Sequence, residues 1–156
     1  MPLIVAMHAP SDHPLDEFVQ RCRDAGLRRT HALEAVLQLL MAAHRPLSAV
    51  DIVESPALKD QCDPATVYRL LTRLEEKGIL RRLGLRERAA YYALRHGHCH
   101  EDYIVCTACG TIESLAMDCP VEMLEAEISK ASGFSELDHE LEFFGVCPAC
   151  QKKKAG

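Results

Sequence analysis

At 156 residues the chain allows one domain or two small ones, and 48% apolar with 26% charged residues supplies a core and argues against wholesale disorder. No apolar run approaches the roughly 18 residues of a membrane span, and Met1 to Pro10 has no basic stretch ahead of its few apolar residues, so no membrane insertion or signal peptide is expected. The net charge of −5 conceals a split: 14 Lys/Arg against 12 Asp/Glu through Arg95, and 4 against 11 from His96 onward.

Leu15, Phe18, Val19 and Cys22 fall at helical spacing and predict a helix ending near Gly26. Leu33, Val36, Leu37, Leu40 and Met41 predict a second. Ser48 and Asp51 form a capping-box pattern that opens a short third helix, which stops before Pro56. Asp63 is a good N-cap and Pro64 suits the first helical turn, so a fourth helix follows with Val67, Leu70, Leu71 and Leu74 as its buried stripe and Gly78 as its end. Ile79 to Leu83 and Ala90 to Leu94 read as two strands around the polar loop Gly84 to Arg88.

Without the leading helix, this is the order of a winged helix-turn-helix, assigned to residues 1–95. Between Pro64 and Arg95 there are 8 basic residues against 3 acidic, a balance that suits nucleic-acid binding. The fourth helix would enter the major groove of double-stranded DNA. Thr66, Tyr68, Arg69 and Arg73 lie off its buried stripe, and Arg81, Arg82, Arg86 and Arg88 on the ribbon would reach phosphate. The alternative is a small helical domain whose arginines face water.

The rest of the chain is rich in metal-ligand residue types, within totals of eight Cys and eight His. Cys106-x-x-Cys109-Gly110 and Cys147-Pro148-x-Cys150 are two knuckles with 37 residues between them. Four thiolates at such spacing can close a coordinatively full, structural zinc site; reduced unmetallated pairs or disulfides are the alternative. Such usage in a chain this long favours a cytoplasmic metal protein over a disulfide scaffold. Short strands are expected at Tyr103 to Cys106 and Thr111 to Leu115, and a helix over Val121, Leu124 and Ile128. Leu137, His139, Leu141 and Phe143 alternate with Glu136, Asp138, Glu140 and Glu142, which predicts a strand with His139 on its apolar side. Residues 96–102 read as a metal-binding hinge, because His96, His98, Cys99, His100, Glu101 and Asp102 crowd into it, and residues 103–156 as the second domain. Cys22, Cys62 and Cys119 have no partner in the pattern and are expected as buried thiols.

Together these features resemble the ferric uptake regulator family of metal-dependent repressors, from about Leu15 onward. Pro64-Ala65-Thr66-Val67-Tyr68-Arg69 resembles its recognition-helix signature, and the two knuckles, Gly145 and His139 match its C-terminal pattern. The resemblance implies an α+β protein: a winged-helix domain followed by an α/β dimerisation domain with a four-cysteine zinc site. It implies a homodimer closed by metal onto a palindromic, AT-rich operator. It also implies a second regulatory site of His100, Asp102, His139 and Glu122. At the hinge the chain departs from the family: Glu101 and Tyr103 stand where many members have His, Pro46 replaces a further His, and a usual Glu falls near Ala93. His98 and Cys99 are the substitutes, with Glu113 and His44 as further hinge ligands.

A thiolate ligand shifts the expected metal toward Zn(II), so the chain reads as a zinc-responsive repressor. Alternatives are an iron-responsive or peroxide-sensing regulator using Fe(II) or Mn(II), and, in another class, a zinc-storage or delivery protein. No HExxH or HxE…PCxxC pattern occurs, so an enzyme is not expected.

Overall fold

The structure, a computed structural model, describes residues 15–84, 89–96, 102–115 and 120–154. Helix α1 (Leu15–Asp24) buries Phe18, Val19 and Cys22. Helix α2 (His31–Ala43) is opened by Thr30, whose side chain accepts from the Leu33 amide, and buries Leu33, Val36, Leu37 and Leu40 among others. The capping box is present, with the Ser48 hydroxyl accepting from the Asp51 amide and Asp51 reaching back to the Ser48 amide. It links strand β1 (Leu47–Ser48) to helix α3 (Ala49–Val53). Helix α4 (Pro64–Glu76) starts where Asp63 accepts from the Thr66 amide at 3.1 Å. It ends at Gly78, whose φ of 69° suits a residue without a side chain.

Strands β2 (Leu80–Leu83) and β3 (Tyr91–Leu94) follow, and the first sheet has the antiparallel order β1-β3-β2. Its register pairs Leu80 with Leu94, Arg81 with Ala93, Arg82 with Tyr92 and Leu83 with Tyr91. Alternation then divides the sheet. Leu80, Tyr92 and Leu94 join the helical core with Phe18, Leu37, Ile52, Val67, Leu71 and Leu74. Leu83 and Ala93 turn to the other side and pack with Tyr103, flanked by Tyr91 and Ile112. The wing is therefore covered on both faces.

The second sheet has the order β5-β4-β6, built from β4 (Asp102–Cys106), β5 (Ile112–Leu115) and β6 (Glu142–Gly145). β6 runs parallel to β4, pairing Tyr103 with Glu142 and Cys106 with Gly145. A parallel pair needs a long crossover, and helix α5 (Glu122–Ser132) lies within it. Helix α6 (Pro148–Lys154) ends the described chain. The strand expected from Leu137 to Phe143 is corrected: pairing begins only at Glu142. Upstream, the backbone is engaged elsewhere, since the Leu141 carbonyl accepts from Arg81 at 2.8 Å.

Burial is uneven. Among the described residues from Asp102 onward, only Asp102, Tyr103, Val105 and Cys106 are buried, and α5 buries none. No described helix is long and apolar enough to cross a membrane. Two substitutions check this placement of the core. Leu71→Ala, at a fully buried side chain, is expected to cost roughly 2–5 kcal/mol, and loss of the α4 cap in Asp63→Ala about 1 kcal/mol, both read from the urea midpoint.

Candidate metal centre and nucleic-acid interface

The parallel β4–β6 pair carries the first knuckle to the second. Cys106 ends β4 and Cys109 sits on the turn closed by the Gly110 amide donating to the Cys106 carbonyl at 2.8 Å. Cys147 and Cys150 straddle the first turn of α6, where the Gln151 amide donates to the Cys147 carbonyl. The Thr107 amide donates to the Gly145 carbonyl at 2.7 Å and stitches the knuckles together. All four sulfurs lie within 4.8 Å of one another, and Cys109 and Cys147 are 3.8 Å apart.

A disulfide would need about 2.05 Å, whereas four thiolates about 2.3 Å from a tetrahedral zinc stand about 3.8 Å from each other. The arrangement fits a full-coordination zinc site. Its electrostatics agree. Backbone donors, the Cys147 amide first, pull the Cys106 thiol down to about 6. The side chain of Thr111 lowers Cys109. Cys150 is pushed up to about 12, chiefly by holding its proton toward Cys147 and Cys109. One sulfur yields its proton readily and another resists, as expected where negative charge accumulates without a cation.

The residues expected at the second regulatory site are partly rearranged. His139 is half-buried and its Nδ1 lies 2.5 Å from Glu125 Oε1 on α5. Glu122, the acid expected there, is exposed in the first turn of the same helix. The acid that His139 meets is Glu125, one helical turn further along α5. Asp102 is buried at the head of β4, and His100 lies outside the described residues.

The hinge set is not brought together among the described residues. His98 and Cys99 lie outside them. His44 is exposed and caps α2 with a left-handed φ of 49°. Glu113 pairs with Ile104 on β4, and both are exposed. Tyr103, one residue earlier, faces the wing, so alternation puts Glu113 on the opposite face of the sheet. Glu113 is thereby corrected: within one chain it points away from the winged half. Among the described residues the four cysteines are the one group of three or more His, Cys, Asp or Glu side chains gathered within 4.8 Å.

On α4 the stripe Val67, Leu71 and Leu74 faces the core, while Thr66, Tyr68, Arg69 and Arg73 are exposed. Arg69 donates to the Thr66 hydroxyl at 3.3 Å, which arranges the side chains of the first turn. Arg82 is exposed on β2, and Arg86 and Arg88 lie outside the described residues. Arg81 is corrected. Only 6% of it is exposed, because the register turns it toward the C-terminal half, where its guanidinium meets Glu140, Glu142 and the Leu141 carbonyl. It is unavailable to phosphate.

Comparison with known proteins comes to the same place. Residues 24–144 match the family described as "Ferric uptake regulator family". The chain is 33% identical over 137 residues to the ferric uptake regulation protein of Legionella pneumophila, covering 86% of this chain and 99% of that one. It is similar to a structure of the ferric uptake regulator from Pseudomonas aeruginosa with manganese, at 29% identity and a TM-score of 0.67, over 83% of this chain and 97% of that one. A zinc uptake regulator complexed with zinc and DNA is similar at 26% identity and a TM-score of 0.55, over 91% and 95%.

The thiol cluster makes its own prediction. At pH 7 Cys106 is already ionised, so zinc loading of the stripped protein should release fewer than four protons; as pH falls below about 6 the thiol regains its proton, and one more should be displaced. Calorimetry in buffers of different ionisation enthalpy reads that number. Cys147→Ser should lose the chelator-resistant zinc.

Proposed function

The chain belongs to the ferric uptake regulator family of metal-responsive regulators, and from that we propose that it is a zinc-responsive transcriptional repressor which binds palindromic operator DNA as a metal-loaded homodimer. The observation that carries this reading is the coexistence, in one chain, of an exposed Thr66-Tyr68-Arg69-Arg73 helix face and a closed four-cysteine centre. A full tetrahedral site leaves no open coordination position, so regulation rather than catalysis is the proposed role.

The four cysteines are the permanent zinc site. The exchangeable site draws on His98 and Cys99 in the segment between the halves, and a second regulatory site on His139, Glu125, Asp102 and His100. A bound divalent cation supplies charge and ligand geometry, and no redox step. Thiolate and imidazole at Cys99 and His98 favour zinc over iron or manganese, and the similarity to a zinc uptake regulator bound to zinc and DNA is consistent with this. A second reading, iron sensing, is favoured by the similarity to a ferric uptake regulation protein.

Homodimer formation is supported by a broad apolar exposure. Met123, Leu124 and Ile128 on α5, Phe134 after it, and Phe143 and Phe144 on β6 are each at least 43% exposed in the single chain. So many large apolar side chains exposed on one half suit burial against a second copy. Two copies pairing their C-terminal halves would cover it and hold two α4 helices for successive major grooves.

Two measurements test the proposal. Metal content before and after EDTA should fall from two or more zinc per protomer to one; a single resistant zinc with uptake of iron alone would move the assignment to iron. Fluorescence anisotropy on an AT-rich palindrome should show zinc strengthening binding by about tenfold or more. His98→Ala and Cys99→Ala should keep the dimer and lose that increment, while Arg69→Ala should weaken binding and flatten its salt slope by about one unit. A His98 or Cys99 variant that responds to zinc as the parent does would defeat the assigned ligands.

A further inference from the structure

Helix α1 reaches the far end of the winged half through two side chains on one of its faces. Phe18 and Arg21 are three residues apart and so neighbours on the helix surface, and the Arg21 guanidinium carbon stands 5.1 Å from the centre of the Phe18 ring. Both touch residues just past β3. Arg21 donates from Nη1 to the Arg95 carbonyl at 2.7 Å, across 74 residues of sequence. The Phe18 ring meets the His96 ring edge-on, with centroids 5.4 Å apart and planes at 82°. Phe18 is buried in the helical core, so this contact starts from a fixed position.

Arg95 is held by backbone and side chain alike. Its amide donates to the Ile79 carbonyl at 2.9 Å, its carbonyl accepts from Arg21, and its guanidinium pairs with Asp138 at 3.6 Å and with Glu140. Beyond His96, residues 97–101 alone lead to Asp102 at the head of β4. A linker that short, leaving from a fixed point, has few conformations to lose when its side chains gather a ligand. The bland role for Arg21 is a basic group in the last turn of α1, favourable to the helix dipole. Arg23 lies in the same turn, exposed, and fills that role equally well. Arg21 is the one that reaches Arg95.

We infer that α1 is the anchor of the hinge: Arg21 and Phe18 are positioning residues that fix the start of the 97–101 linker through Arg95 and His96. Metal sets the posture of the two halves in this scheme, and α1 supplies the fixed end that it works against. A guanidinium suits the task, because it keeps its charge at any physiological pH and can serve a carbonyl while its stem lies on an aromatic ring. The inference rests on the proposed use of His98 and Cys99 and deepens it. The leading helix, which lies outside the winged helix-turn-helix pattern, gains a task in the response to metal.

The test uses the full-length protein, treated with EDTA until only the chelator-resistant zinc remains and then titrated with zinc against a competing chelator. Arg21→Met keeps an apolar stem over Phe18 and removes the donor, whereas Arg23→Met removes a like charge from the same helix end. Arg21→Met should weaken the exchangeable zinc by about fivefold and speed hydrogen exchange of residues 91–96 by about tenfold, while α2 stays protected and the resistant zinc is retained. Arg23→Met should match the parent in both readouts. Phe18→Leu keeps an apolar side chain but loses the ring contact with His96, and should move both readouts the same way by about threefold. It decides the matter if Arg21→Met unfolds α2. Exchange of residues 91–96 as slow as in the parent, in both variants, overturns the anchor. Faster exchange with unchanged zinc affinity overturns its positioning role, and so does an equal loss in Arg23→Met, since the helix-end charge then accounts for it. A parent protein without exchangeable zinc defeats the proposed function instead, and the exchange data alone then decide whether α1 holds the end of the wing.

Discussion

Four thiols within 4.8 Å of one another cannot all give up their protons unless a cation takes up the charge, and the C-terminal half is built around that condition. The strain is visible in the cluster itself, where Cys106 is drawn down to about 6 and Cys150 forced up to about 12. Within the single chain this half has little core of its own. Only four of its described residues are buried, and neither α5 nor α6 adds one. In a unit with so small a core, a metal held by the four thiols would supply a large part of the folding free energy. The parallel pairing of β6 with β4 sets Gly145 beside Cys106 and so brings the second knuckle to the first, across a long crossover that contains α5.

The first sheet joins this thiol-centred half to a conventionally packed one. One face of the sheet joins a cluster of twenty buried residues drawn mainly from the α1–α4 segment. The other lies on Tyr103 and Ile112 of the second sheet. A two-stranded wing in water could spend its arginines on phosphate. A wing covered on both faces has to sort them by parity. Arg82 falls on an exposed position, while Arg81, one residue earlier, falls between the halves. The acids of the 138–142 strip make that tolerable, since a buried guanidinium is stable only where carboxylates and a carbonyl surround it.

Much of this was legible in the sequence, and the failures have specific physical origins. Helix stripes, the Ser48–Asp51 box, the Asp63-Pro64 start and the knuckle spacing are local signals, and each appears in the structure where the spacing puts it. Arg81 was misread because its compensating charges lie some sixty residues away, and a local reading sends every arginine to solvent. The strand expected from Leu137 overran for the opposite reason. Its alternation is real, but a strand also needs a neighbour, and β4 offers one only from Glu142 onward. Glu125 rather than Glu122 meets His139, one helical turn further along α5, a distance that residue type and spacing alone do not settle. Glu113 was grouped with the hinge by residue type, whereas its face of the sheet is decided by its partner Ile104.

One short segment gathers these threads. Residues 138–142 carry three carboxylates and one imidazole. Asp138, Glu140 and Glu142 face the arginines of the winged half, while His139 between them turns to Glu125 of α5. The contacts to the winged half and to α5 thus alternate within one strip of five residues.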